Sequence, residues 1–355
     1  MGRKAKTSDA APTLKDVADR ARVHVSTASR ALSPPWPGRV SEATVARVQA
    51  AARELGYTPD LVAAGLKRGR TQSVGVVVGD FENPYNNLLI RGLASELETH
   101  DFIVLVTESA ESRERLERVI THLLGRRVDA IVTTAAHLGD EALLQRVAAH
   151  GVPVVLGVRN LPGAGLPAVV HHDERGAALA AAHLLDLGHR VVAQLPGPLD
   201  IDSFGRRRQG FGTAVAAAEA AREVTVDAAA VVADIAEGRR LMALTLERAA
   251  ERPTGVFAHN DVMAVGALEA IRAAGLSCPR DVSLVGYNDL PLASHISPAL
   301  TTVGVSSEVL GRRLAAAVLR AIEDPQGEGE VVRVDARLVV RASTAPRVPN
   351  VCQDG

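Results

Sequence analysis

The sequence is poor in cysteine and aromatic residues, and it has no apolar run long enough to cross a membrane. Its 355 residues include only Cys278 and Cys352, which are too few and too far apart for a disulfide framework or a cysteine metal site. The basic residues near the N-terminus are followed by no apolar segment, so we expect no signal peptide. Together these absences favour a reduced, cytoplasmic protein with no membrane partner.

Motifs of common enzyme classes are also missing. The sequence contains no P-loop, no G-x-S-x-G turn and no H-E-x-x-H helix. Residues 163–168 fit G-x-G-x-x-A, but a strand-like run follows where a dinucleotide site needs a helix. The adjacent His171 and His172 would point to opposite faces of a strand, which disfavours a metal site. We therefore expect no cofactor, no metal and no enzymatic activity.

Charge is distributed unevenly along a chain whose net charge is close to zero. Residues 1–70 contain 13 Lys or Arg and 6 Asp or Glu, a balance of +7. The remaining residues contain 40 − 13 = 27 basic and 41 − 6 = 35 acidic side chains, a balance of −8. A basic N-terminal segment on an acidic body indicates that only the first segment binds a polyanion.

Residues 13–30 carry the most informative local pattern. Apolar side chains recur at helical spacing from Leu14 to Ala21, which predicts a short helix with one buried face. Thr13, with Asp16 three residues later, has the spacing of a capping box that begins this helix. The three residues after the helix are enough only for a tight turn.

A second short helix is predicted from about Val25 to Leu32. Its outward face carries Val25, Ser26, Ser29 and Arg30. Two short helices joined by a three-residue turn have helix-turn-helix geometry, although any small helical pair would give a similar pattern. On such a face Arg30 can make a bidentate contact to guanine and Val25 can contact a thymine methyl.

This stretch resembles the N-terminal headpiece of the lactose-repressor (LacI/GalR-type) family, which reads T-hydrophobic-x-D-V-A-x-x-A-G-V-S-x-x-T-V-S-R-x-L. The matching positions are Thr13, Asp16, Val17, Ala18, Ala21, Val23, Thr27, Ser29, Arg30 and Leu32. Arg22 replaces the usual Gly, which predicts a different turn conformation or an extra phosphate contact. His24 replaces the usual Ser, which predicts a weaker helix cap. The resemblance implies binding to double-stranded DNA through Thr13, Val25, Ser26, Thr27, Ser29 and Arg30.

A short basic segment follows the headpiece. On its own, residues 59–71 would be either a basic linker or a helix that is marginal in water. The family resemblance implies a hinge helix in which Leu66 inserts into the minor groove, with Lys67 beside it.

Beyond residue 72, short apolar runs alternate with helical stretches, which predicts parallel sheets covered on both faces. The predicted strands are 73–79, 102–107, 129–134, 152–158, 168–172, 191–195, 229–233, 255–258 and 282–287. The predicted helices include 87–98, 112–124, 174–187, 206–221, 236–250 and 261–274. The family resemblance implies two Rossmann-like lobes of the periplasmic-binding-protein type. The fold class is therefore α plus α/β.

The predicted domains follow from these patterns and the resemblance. They are a disordered N-terminus (1–12), a headpiece (13–58), a hinge helix and linker (59–71), an effector-binding and dimerisation domain (72–343), and a tail (344–355). Within the large domain, the N-lobe comprises about 72–168 and 304–333. The C-lobe comprises about 169–303 and 334–343.

Ligands of doubly wound sheets bind beyond the carboxyl ends of the strands, where several polar residues lie in this sequence. Arg159 and Asp173 follow predicted strands. The resemblance implies effector contacts from N-P-Y-N, R-x-x-G-F, N-D and G-Y-N-D motifs, namely Tyr85, Asn86, Arg207, Asn260 and Asn288. Asp261 and Asp289 can instead cap helices or turns, and Arg206 and Arg208 are expected to be solvated.

These features predict an effector-responsive transcription regulator, most simply a repressor. We expect a homodimer that reads a pseudo-palindromic operator and binds a sugar or related metabolite between its lobes. A transport-type sugar-binding protein would need an export signal and would leave residues 13–70 unexplained. An α/β enzyme would need a catalytic base and a phosphate-binding loop that the sequence does not provide.

Overall fold

A computed structural model describes residues 12–32, 40–58, 70–325, 327 and 329–347 of the chain. Its contacts divide the chain into one unit that ends at Thr71 and a second that begins at Gln72. The predicted hinge residues Leu66 and Lys67 lie outside the described residues, as do positions 1–11 and 348–355.

The described residues of the first unit form short helices around a small apolar core. These are α1 (Leu14–Ala21), α2 (Val25–Ala31) and α3 (Glu42–Leu55). The predicted capping box is confirmed, because Thr13 and Asp16 bond to each other through both side chains and backbone N–H groups. The buried side chains of the core are Val17, Ala18, Ala21, Ala28, Ala31, Val48, Ala51 and Ala52. Such small residues allow the three helices to pack closely.

The turn between α1 and α2 contains the two residues that depart from the family motif, Arg22 and His24. Arg22 has φ of 52°, a left-handed conformation that glycine adopts more easily. The ring Nδ1 of His24 accepts a hydrogen bond from the Ser26 N–H at 3.2 Å. The imidazole nitrogen thus supplies the acceptor that a serine hydroxyl would provide, and the weaker cap stays a prediction.

The second unit alternates between strands and helices. The strands are β1 (Ser73–Val78), β2 (Ile103–Glu108), β3 (Ala130–Thr133), β4 (Val154–Val158), β5 (Ala168–His171), β6 (Val191–Leu195), β7 (Arg222–Glu223), β8 (Gly255–Ala258), β9 (Ser283–Asn288), β10 (Thr301–Gly304), β11 (Val331–Val334) and β12 (Arg337–Val339). The helices are α4 (Pro84–Glu98), α5 (Arg113–Gly125), α6 (Glu141–Ala149), α7 (Asp173–Asp186), α8 (Asp202–Ala216), α9 (Ile235–Arg248), α10 (Asp261–Ala273) and α11 (Ser307–Glu323). None of the described helices combines the length and apolar character needed to cross a bilayer.

The described strands form two six-stranded sheets. The first sheet has the order β11-β5-β4-β3-β1-β2, and the second has the order β12-β10-β9-β8-β6-β7. Pairing is parallel except at β12, which is antiparallel to β10. Inner strands such as β1 are buried along their whole length, as expected for parallel sheets covered on both faces by helices. We call the part built on the first sheet the N-lobe and the part built on the second the C-lobe.

The chain crosses between the lobes after β5, after β10 and after β11. The first crossing follows His171 rather than residue 168, because β5 pairs with β4 and β11 in the first sheet. The strand predicted at 229–233 is not formed, and β7 at Arg222–Glu223 pairs with β6 in its place. Ala230 instead donates its N–H to the Pro196 carbonyl, which ties this segment to a loop.

Two glycines allow α9 and α10 to pack in backbone contact. A Cβ on Gly266 would collide with the Ile235 carbonyl and lie 2.6 Å from the Arg239 nitrogen. A Cβ on Gly238 would lie 2.6 Å from the Met263 Cα. This close approach fixes the N-terminus of α10, which borders the space between the lobes.

Gly266→Ala should therefore destabilise the second unit by about 1–3 kcal/mol, because its methyl group would force two helix backbones apart. Gly205→Ala is a matched control, since Gly205 lies in α8 and a Cβ added there would meet no atom within 4 Å. That control should be neutral or stabilise by up to about 1 kcal/mol. Urea unfolding followed by circular dichroism measures both, and equal midpoints would contradict the packing argument.

Candidate functional site

One face of α2 presents polar and basic side chains. It comprises Val25, Ser26, Thr27, Ser29 and Arg30. Val25 is 37% exposed, Ser26 and Arg30 are also exposed, and the other two are half-buried. Ala28 and Ala31 on the opposite side pack into the core, so the orientation of this face is fixed by the fold.

Arg30 is the long hydrogen-bond donor of this face. Among the described residues it has no ion-pair partner, whereas Arg20 on α1 is paired with Glu54. Its guanidinium can therefore offer two parallel donors to a guanine edge. Thr13 is exposed at the start of α1, where its hydroxyl is engaged with Asp16.

A cavity of about 50 Å³ lies where the carboxyl ends of the strands of both lobes meet. Six of the predicted ligand residues line it: Tyr85, Asn86, Arg159, Arg207, Asn260 and Asn288. Lining residues that were not anticipated from the sequence include Glu111 and Thr134. The cavity is far smaller than the roughly 300–1,000 Å³ typical of ligand pockets, so the cleft is closed.

Arg207 is held rigidly at the C-lobe side of the cleft. Its Nε donates to Asp173 Oδ1 at 2.8 Å, and its Nη1 donates to the His259 carbonyl at 2.5 Å. The guanidinium carbon lies 3.7 Å from the centre of the Tyr287 ring. Asp173, the seventh predicted residue, is fully buried and supports Arg207.

Arg206 departs from the expectation of a solvated side chain. Only 11% of its side chain is exposed, because it bonds Asp173 at 3.1 Å and Asp202 at 2.8 Å. Asp173 thus faces two guanidinium groups, which compensates the cost of burying its charge. Arg208 is exposed, as expected.

The N-lobe side of the cleft contains a buried tyrosine–histidine pair. The Tyr85 hydroxyl lies 2.5 Å from His171 Nε2. Burial lowers the pKa of His171 to about 4, so the neutral ring can accept a hydrogen bond from the tyrosine hydroxyl. Asn86 donates to the Asp80 carbonyl at 2.7 Å, which fixes its amide at the cleft wall. The sequence analysis considered His171 only as a metal ligand and disfavoured that role, and its pairing with Tyr85 became visible in the fold.

The two asparagines on the C-lobe side of the cleft differ in how they are held. Asn260 caps α10 by accepting from the Met263 N–H at 2.6 Å, and its amide donates to the Ala233 carbonyl at 3.0 Å. Asn288 ends β9 with φ of 111°, a conformation that non-glycine residues seldom adopt. Strain of this kind is often found at binding sites.

The neighbouring aspartates have structural partners, although the cap of α10 is Asn260 and not Asp261. Asp261 accepts from the Leu290 N–H at 2.7 Å and from the Thr302 hydroxyl at 2.5 Å. Asp289 pairs with Arg341 at 2.6 Å.

An acid–base cluster that was not anticipated from the sequence joins the two lobes beside the cleft. His137 Nε2 lies 2.8 Å from Glu111, and its Nδ1 lies 2.8 Å from Asp200 in the C-lobe. Arg159 makes two bonds to Glu111, at 2.6 and 2.8 Å. The hydrogen bond to Glu111 outweighs partial burial and raises the pKa of His137 above its ordinary value of 6.5. Burial opposes ionisation of Glu111, but His137 and Arg159 outweigh it and lower its pKa to about 2.

Comparison with known proteins gives matches in both units of the chain. Residues 13–60 match the family described as bacterial regulatory proteins, lacI family, and residues 181–344 match the periplasmic binding protein-like domain. The HTH-type transcriptional repressor CytR of Escherichia coli (strain K12) is 31% identical over 348 residues, covering 96% of this chain and 98% of CytR. The chain belongs to the LacI family.

Two solved structures of transcription regulators are similar to most of the chain. The Lac repressor dimer bound to operator and the anti-inducer ONPF is 26% identical, with a TM-score of 0.81, and the match covers 94% of this chain and 99% of that one. The complex of the transcriptional regulator CelR with cellobiose is 30% identical, with a TM-score of 0.68 and the same coverage. The predicted family and fold class are therefore confirmed. As a LacI-family member, the chain is a DNA-binding transcription regulator and not an enzyme.

The histidine that bridges the lobes gives this LacI-family protein a pH-dependent stability. A raised folded-state pKa stabilises the protein below pH 6.5, and this stabilisation is lost as the pH rises through the raised value. The thermal midpoint of the wild type should therefore exceed that of His137→Gln by more at about pH 6 than at about pH 9. For a domain of this size 1 kcal/mol corresponds to roughly 2–4 °C.

The matched control is His122→Gln, because His122 is exposed on α5. It should show no such pH-dependent difference from the wild type. A difference between wild type and His137→Gln that stays constant with pH would refute the charged state inferred for His137.

Proposed function

We propose that the protein represses transcription in the cytoplasm by binding a pseudo-palindromic operator as a homodimer, under the control of a sugar or related metabolite bound between its lobes. The observation that carries this proposal is the presence, in one chain, of an exposed reading face on α2 and a polar cleft between two lobes. A DNA-binding helix needs no metabolite site, and a metabolite-binding cleft needs no DNA-binding helix. Their presence in one chain suits a regulator whose DNA affinity is changed by a metabolite.

The DNA-binding half of the proposal rests on α2. Arg30 supplies bidentate donors, Val25 an apolar contact, and Ser26 a short hydroxyl, which are the kinds of group that read base edges in the major groove. Thr13 lies at the N-terminus of α1, where a helix end favours a backbone phosphate. Two copies related by a two-fold axis would read two half-sites, as in other dimeric helix-turn-helix proteins.

The metabolite-binding half rests on the cleft. Arg207, Asn260 and Asn288 face it from the C-lobe, and Tyr85, Asn86 and Arg159 face it from the N-lobe. Such groups suit a molecule with several hydroxyl or amide groups, and CelR, which is similar to this chain, has been solved with cellobiose.

Coupling between the sites follows from the topology of the second unit. The closed cleft must open to admit a ligand, and the lobes are joined at three crossings near His172, Val305 and Asp335. A ligand that binds one lobe arrangement more tightly shifts the balance between arrangements and hence DNA affinity.

The test is a selection of high-affinity duplexes from random DNA, followed by fluorescence anisotropy of the best duplex against a panel of sugars and nucleosides. A sequence preference that one of these metabolites changes supports the proposal. Equal affinity for selected and random DNA, unaffected by any metabolite, would overturn it.

Arg30→Ala should weaken binding to the selected operator by about 1–3 kcal/mol, because it removes a base contact, while random DNA loses less. Arg53→Ala is the matched control, since Arg53 is an exposed arginine on α3 outside the reading face. Anisotropy titrations with both duplexes measure the change. Equal losses on the operator and on random DNA would refute base reading by Arg30.

Arg207→Ala should leave operator binding unchanged but weaken the response to the active metabolite by about 10–150-fold, the cost of a lost hydrogen bond to a charged group. Arg207→Lys, which keeps a charge beside buried Asp173, should show the same loss if folding is intact. Arg208→Ala, an exposed neighbour in α8, serves as the control. A normal response in both Arg207 variants would rule out ligand contact there.

A further inference from the structure

The carboxylate of Glu111 lies among hydrogen-bond donors that could also hold another oxyanion. Arg159 Nη2 lies 2.6 Å from Glu111 Oε1, and Arg159 Nη1 lies 2.8 Å from Oε2. His137 Nε2 approaches the same Oε2 at 2.8 Å. A planar guanidinium with two parallel donors and a neighbouring imidazole is an arrangement that also binds phosphate or a ligand carboxylate.

The backbone that carries Glu111 into the cleft is strained. Ala110 and Glu111 have φ of 49° and 52°, a left-handed conformation that costs non-glycine residues roughly 1–2 kcal/mol each. The loop is anchored by the Glu111 N–H, which donates to the Gly79 carbonyl at 3.1 Å. A Cβ on Gly79 would collide with the Glu111 carboxylate, so this glycine leaves the space that the carboxylate fills. Strain held at a binding cleft indicates that the position of Glu111 serves the site.

The other cations at the cleft are also neutralised from within the chain. Arg207 lines the cavity and bonds Asp173, and the adjacent Arg206 bonds both Asp173 and Asp202. Among the described residues that line the cavity, Arg159 and Arg207 are the permanent cations, and each already holds a carboxylate. A phosphorylated or carboxylated ligand would therefore have to displace an internal carboxylate.

We infer that Glu111 determines ligand specificity by filling the oxyanion position between Arg159 and His137, which reserves the cleft for uncharged ligands. This inference rests on the proposed role of the cleft as the effector site. It places Glu111 in competition with anionic groups, and it makes an uncharged polyol or nucleoside the class of effector that the cleft accepts. Removing the carboxylate should expose a vacant site for a small oxyanion.

The test uses inorganic phosphate as the probe and needs no knowledge of the natural effector. Calorimetric titration of Glu111→Ala should show one saturable phosphate site per chain, at least about tenfold tighter than any binding to the wild type. Glu111→Gln, which keeps the shape of the side chain without its charge, should bind phosphate more weakly than Glu111→Ala. Sodium chloride of equal ionic strength controls for general screening.

Two further variants locate the binding. The double variant Glu111→Ala/Arg159→Gln should lose the phosphate site, because the bidentate donor is gone. Asp200→Asn removes the other partner of His137 but leaves Glu111 in place, so it should behave like the wild type. Phosphate binding that survives the loss of Arg159, or that is equally strong in the wild type, would overturn the inference.

If neither Glu111 variant gains phosphate binding while both remain folded by circular dichroism, the Glu111–Arg159 pair is structural only and the inference fails. This outcome is separate from the DNA assay. If a metabolite changes operator affinity but the Glu111 variants gain no phosphate site, only the role of Glu111 is refuted. A protein that gains the phosphate site but prefers no DNA sequence would instead refute the proposed regulator.

Discussion

The buried ion pair between Arg207 and Asp173 is the interaction on which the cleft depends. Asp173 begins α7 directly after the first crossing between the lobes, and Arg207 lies in α8. A fully buried carboxylate is costly unless cationic groups lie beside it, so the two helices must bring these side chains together. The pair places the guanidinium over Tyr287 and within 3.5 Å of His171 in the N-lobe. The ion pair therefore fixes the Arg207 guanidinium at the cleft without a bound ligand.

Features encoded by near neighbours in sequence could be predicted well. The capping box of Thr13 and Asp16 depends on residues three positions apart, and α2 follows from the periodicity of a few small side chains. The alternation of strands and helices after Ser73 reflects continuous apolar runs, which parallel strands require when both faces are buried. Arg207 was predicted from the local R-x-x-G-F motif. It lines the cleft because it lies near the start of α8.

Features that depend on distant residues could not be predicted in this way. Glu111, His137 and Asp200 come from three separate loops, and only the strand order brings them within hydrogen-bonding distance. Arg206 was expected to be solvated because its burial depends on Asp173 in another helix. The apolar segment at 229–233 has the composition of a strand, but it joins neither of the two described sheets. Composition predicts what a segment can form, and its neighbours decide what it does form.

The near absence of free space between the lobes has a kinetic consequence. A molecule as large as a monosaccharide does not fit a void of about 50 Å³, so the proposed effector would reach its contacts only while the lobes are apart. At high concentrations capture is then limited by the frequency of that separation and no longer by diffusional encounter. If it binds the proposed effector in this way, the protein would respond only to a metabolite that persists longer than the interval between openings.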